Sequence, residues 1–193
     1  MNQIFAKANS RIEEVLHEKV RWRWIIWIFT IQGVFSYFTL KQDAILALKM
    51  DLPPLIIWLI IMGFLYGCVS NLIICYLIKL TGKLFNAEGS YKNILKSISL
   101  AYRPHLYTIV LIIIHLSIAH YFESSIIQNN MIALVVLMLV LKTSIGALAI
   151  WTLVLLVRNL MVVQNLTIGK TILNYIVALI LNIPTHYLLI SEL

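Results

Sequence analysis

Long apolar runs alternate with short polar connections along this chain. Five runs, 24–40, 55–78, 106–122, 131–157 and 172–190, reach the roughly 17 to 25 residues that a helix needs to cross a hydrocarbon core. They are continuously apolar rather than alternating in steps of two, which predicts spanning helices and not the strands of a membrane barrel. The fourth run exceeds a single crossing and carries Lys142 near its middle, so a tilt, a kink or a break is expected there.

Two polar stretches carry a helical period instead. After Gly89, Ser90 is a suitable N-cap, and Tyr91, Ile94, Leu95, Ile98, Ala101 and Tyr102 then recur on one helical face with Lys92, Lys96 and Arg103 on a neighbouring flank. The pattern predicts an amphipathic helix over 90–103 that lies in the headgroup plane with its lysines toward phosphates. Pro104 suits the turn into the third span, because its fixed φ starts one helix while its missing N–H ends another. Ile4, Phe5, Ala8, Ile12, Val15 and Leu16 form a similar stripe within 1–23, and a second amphipathic helix is expected there. Both helices read either as lipid anchors or as a docking platform for another protein.

Composition settles the class. The 193 residues are 61% hydrophobic and 12% charged with a mean hydropathy of +0.92, whereas a soluble domain averages roughly 45 to 50% and about 25%. With no repeat or linker, the expectation is one all-α integral membrane domain over 1–193. Because 23 residues precede the first run and no small-residue cleavage pattern closes it, that run is expected to remain as an anchor. Cys68 and Cys75 share one apolar run and suggest neither a disulfide nor a zinc site.

Basic residues set the expected orientation. Lys7, Arg11, Lys19, Arg21 and Arg23 precede the first span, Lys79, Lys83, Lys92, Lys96 and Arg103 flank the second connection, and Arg158 and Lys170 the fourth; the other side has only Lys41 and Lys49. The N-terminus and both amphipathic helices are thus expected in the cytoplasm, and an odd number of spans sends the C-terminus outside. Trp22, Trp24 and Trp151 near span ends suit interfacial anchoring. The net charge of +7 reads as attraction to anionic lipid headgroups, since no nucleic-acid motif accompanies it.

Lys142 is the foremost candidate for function, because a charge at the bilayer centre costs roughly 2.5 to 3.5 kcal/mol. All eight acidic residues lie outside the five runs. Its options are snorkelling, a broken helix open to water, hydrogen bonds to Ser70, Asn71 or Thr143, or an acid supplied by a partner. Gly63 and Gly67 form a GxxxG in the second span, followed by Ser70 and Asn71; the motif serves close packing either within this chain or against an oligomer or partner. The histidines are scattered, with His115 and His120 five apart, so no metal site is expected. No HExxH, phosphate-binding loop or intramembrane acid and nucleophile pair is present, so neither an enzyme nor a cofactor is expected.

The stretch Gly82-Lys83-Leu84-Phe85-Asn86-Ala87-Glu88-Gly89-Ser90-Tyr91-Lys92, the helix ending Ala101-Tyr102-Arg103-Pro104, and IWTLVLLVRNLMVVQNLTIGKTILNYIV at 150–177 resemble the Yip family of five-span membrane proteins. Lacking the long N-terminal region and acidic-aromatic-glycine-proline motif of eukaryotic trafficking members, the chain looks like the bacterial ones. For those the resemblance implies an accessory membrane protein, sometimes associated with ABC-type exporters and with defence against membrane-active peptides. The expectation is therefore an interaction subunit with a membrane-protein partner or a second copy, in a bacterial plasma membrane, or an endomembrane if eukaryotic. The alternative is a small transporter or lipid-handling protein that uses Lys142.

Overall fold

A chain in lipid must satisfy its backbone polar groups internally, and helices do so segment by segment. The computed structural model of the protein describes residues 19, 21–47, 50–122 and 127–192. The helix expected over 1–23 lies outside these residues except at 19 and 21–23. Six α-helices follow one another: α1 Trp22–Ala47, α2 Leu52–Gly82, α3 Tyr91–Ala101, α4 His105–Phe122, α5 Ile127–Gln164 and α6 Ile168–Glu192, with a 3-10 turn Lys83–Phe85 after α2.

Local chemistry explains the boundaries. Pro53 and Pro54 stand in the first turn of α2, where a missing N–H leaves no helical bond unmade. Asn86 (φ 61°) and Asn165 (φ 52°) take the left-handed conformation that stops the 3-10 turn and α5, a geometry asparagine tolerates better than most residues. Ser90 caps α3 as predicted, its Oγ accepting from the Asn93 amide at 3.2 Å. Lys41 breaks the helical dihedrals of α1 (φ −118°, ψ 18°), one residue past the predicted end of the first span, and the helix then resumes to Ala47.

Two apolar clusters hold the bundle. One gathers Ile28 and Phe29 of α1, Ile74 and Ile78 of α2, Ile94, Leu95 and Ile98 of α3, and Leu156 and Leu160 of α5. The other joins Tyr37 and Phe38 of α1, Leu59 and Tyr66 of α2, and Ile112 and Leu116 of α4. The outer faces remain apolar, with Ile57, Ile61, Val135, Leu139, Ile150, Ile180 and Leu188 exposed, as a bilayer requires.

Two expectations change, and the span count is met only in part. Among the described residues three helices are by themselves long and apolar enough to cross a membrane, Leu52–Phe85, Val135–Gln164 and Ile168–Leu189; a fourth candidate is the pair Tyr91–Ala101 and His105–Ile118, bent by 46°. The predicted first span lies in α1, which falls outside this set; its tryptophans and Gln32 dilute its hydropathy. Of the two that change, the first is that α3 does not lie on a surface with its polar side open. Residues Ile94, Leu95, Lys96, Ser97, Ile98 and Ser99 are all buried, so the middle of the helix is covered on its polar as well as its apolar side, while Lys92 and Arg103 remain exposed. Second, α5 runs unbroken for 38 residues, about 57 Å at 1.5 Å each, and ends at Gln164 rather than near 157. Arg158, Asn159 and Gln164, expected in a loop, are helical because α3 and the ends of α2 and α6 cover that turn.

Candidate functional site

Helices approach closely only where side chains are absent. A Cβ added to Gly33 of α1 would meet the Gly63 carbonyl oxygen at 2.0 Å, and one added to Gly67 would meet the Phe29 carbonyl oxygen at 2.1 Å. The GxxxG of α2 is therefore used within the chain, against a third glycine that the sequence shows only as a lone residue in the first run. Beside this crossing runs a partly buried chain of polar groups. Asn71 Nδ2 donates to Gln32 Oε1 at 2.6 Å and to the Gly67 carbonyl at 2.7 Å, and Gln32 Nε2 donates to Ser36 Oγ at 2.8 Å.

His186 of α6 joins α6 to α2. Its Nδ1 bonds the Tyr66 hydroxyl, and its Nε2 faces Asn182 Nδ2 at 3.0 Å and Ser70 Oγ at 3.4 Å. Two residues earlier, Pro184 deprives the Ile180 carbonyl of its helical donor. A lower polar cluster ties the ends of three helices together. Asn174 of α6 donates from Nδ2 to Gln164 Oε1 at 2.9 Å and to the Ile78 carbonyl at 3.2 Å, and its Oδ1 accepts from the Thr81 hydroxyl at 2.5 Å. Asn159 Nδ2 donates to the Ser97 carbonyl at 3.1 Å, holding α5 to α3.

Lys142 stands apart from all of this. It is exposed on α5, and Ser70, Asn71 and Thr143, the bonding options read from sequence, are engaged with His186, with Gln32 and the Gly67 carbonyl, and with the Leu139 carbonyl. Leu139, Lys142, Gly146 and Ile150 recur at steps of three and four and are all exposed, so they share one outward face. At Gly146 a Cβ would meet nothing within 4 Å. This face offers a cation beside a position where a neighbouring helix finds no side chain. Pro104 is buried in the elbow between α3 and α4, and its carbonyl accepts from the Tyr107 amide at 3.0 Å.

Sequence reading missed Gly33, Gln32, Asn159, Gln164, Asn174 and His186. One signal was present: Asn174, Asn182 and His186 are spaced eight and four apart in an otherwise apolar run, which places them on one side of a helix. The chain matches the Yip1 domain over residues 3–189. No curated protein and no solved structure matches it.

Proposed function

The chain belongs to the Yip1 family of non-enzymatic multi-pass membrane proteins, and on that premise we propose that it works as an interaction subunit of a larger membrane assembly. The observation that supports this reading is the outward face of α5. A lysine on an apolar helix is expensive in lipid unless it reaches the interface or meets an acid. Among the described residues no carboxylate pairs with Lys142, and Gly146 one turn on leaves space for another helix to come close. A partner helix carrying a carboxylate fits both features. The bacterial-type resemblance makes an ABC-type exporter the first partner class to test.

Lys142→Met is expected to lower recovery of the assembly from native membranes by at least about fivefold, on the scale of a small-molecule-sized coupling of about 1 kcal/mol. The amount of folded protein should stay unchanged, because the side chain is exposed. Affinity purification in mild detergent followed by mass measurement reads the outcome. A wild-type protein that is a solitary monomer in several detergents and in native membrane discs overturns the reading.

The arrangement in the bilayer belongs to the same proposal: five crossings, α1, α2, α4, α5 and α6, with α3 and the N-terminus on the cytoplasmic side of a bacterial plasma membrane. Support comes from the Lys and Arg excess on one set of connections. A reporter fused after Leu193 is expected to be active only outside the cytoplasm. Activity confined to the cytoplasm would leave an even number of crossings and discard this map.

A further inference from the structure

A cavity of about 310 Å³ opens between the start of α1 and the end of α3, and it plays no part in the reading above. Four cationic residues line it: Lys19 and Arg21 just before α1, Lys96 within α3, and Arg103 in the elbow that follows. No carboxylate lines it among the described residues. Sequence spacing grouped Lys96 and Arg103 with Lys92, but folding turns Lys92 out of the cavity and brings in Lys19 and Arg21 from some eighty residues away. We propose that this cavity binds the phosphate headgroup of an anionic membrane lipid.

Two features favour a lipid over a soluble anion. Trp24 forms part of the wall, and Trp22, Trp24 and Trp27 are exposed around the first turns of α1, so the cavity sits at the level where tryptophan side chains meet headgroups. Ile25 and Leu100 also line it, so the basic mouth continues into apolar surface, as an amphiphile with a charged head and an acyl root requires. The opening amides of α1 lack helical acceptors and add their partial positive charge to that of the side chains. Lys96 is only 8% exposed, so one of the lining cations belongs to a buried side chain of α3.

The full-length protein, reconstituted in phosphatidylcholine vesicles containing a minor fraction of phosphatidylglycerol, tests the assignment through native mass spectrometry of the lipids it retains. Phosphatidylglycerol should be retained in preference to phosphatidylcholine. The triple variant Lys19→Gln, Arg21→Gln, Arg103→Gln should weaken that retention by about tenfold or more, because it removes three of the four cations that line the cavity. All three side chains are exposed, so the fold tolerates the change, and Lys96 is left in place. The pair Lys79→Gln, Lys83→Gln removes exposed cations outside the cavity and should leave retention within about twofold, because an isolated surface charge contributes little. Equal losses in the two variants would reduce the effect to general surface charge and overturn the site. So would glycerol phosphate binding as tightly as the lipid, since the apolar floor would then add nothing.

Discussion

Gly67→Val is expected to cost at least about 3 kcal/mol and to remove most folded protein from a detergent extract, above the usual range for an overpacked core. The magnitude follows from what the new side chain meets. Around Gly67 the nearest atoms are the Phe29 carbonyl oxygen at 2.1 Å and the Gly33 Cα at 2.8 Å, both backbone, so no rotamer change relieves the clash. Only separation of α1 from α2 does, and that opens the apolar cluster around Phe29 and the Asn71–Gln32 bond. Even Gly67→Ala should lower the melting temperature markedly. Gly146→Ala provides the control: nothing lies within 4 Å of its Cβ, and the change should be neutral or stabilise by up to about 1 kcal/mol through helix propensity. Thermal unfolding of the purified variants measures both. A Gly67→Ala protein that melts with the wild type would mean that α1 and α2 do not cross there.

Asn174→Leu should destabilise by about 2 to 4 kcal/mol, since it removes three hydrogen bonds from one buried cluster. Gln164 Oε1 loses its donor, the Thr81 hydroxyl keeps only the Leu77 carbonyl, and the ends of α2, α5 and α6 lose their shared tie. Isolated hydrogen bonds between membrane helices average less than 1 kcal/mol, so the larger figure depends on the cluster acting as a unit. Proteolysis in the connection after Asn165 should quicken in step with the lower melting temperature. The double variant Thr81→Val, Asn174→Leu should be less unstable than the sum of its parts, because apolar replacement on both sides leaves fewer orphaned groups. Strict additivity would show that the two residues do not form one network.

What could be read in advance depended on how local the cause was. The cap at Ser90, the helix over 91–101 and the elbow at Pro104 were legible because each follows from neighbouring residues. The ends of α5 were not. Arg158, Asn159 and Gln164 look like the start of a loop to any window of sequence, yet they are helical, and the side-chain amides of Asn159 and Gln164 hold that turn to distant carbonyls at Ser97 and Ile78. The facing of α3 was lost in the same way. A moment along eleven residues identifies an apolar face, but it cannot reveal that a second helix covers the other one. Lys96 was therefore placed on an open flank and is found buried in the wall of a cavity.

By itself the sequence determined the solvent, the helical class and the placing of Lys142 in an apolar run, because the transfer of side chains into lipid and the closing of backbone bonds within a helix are local sums over residues. Only the tertiary structure decided that Gly33 meets Gly63 and Gly67, that Asn174 gathers three helix ends, that Lys142 looks outward, and that four cations from two distant segments share one cavity. Those outcomes depend on which helices become neighbours, and that choice is made by the shape and hydrogen-bonding fit between whole faces, which no single stretch of chain contains.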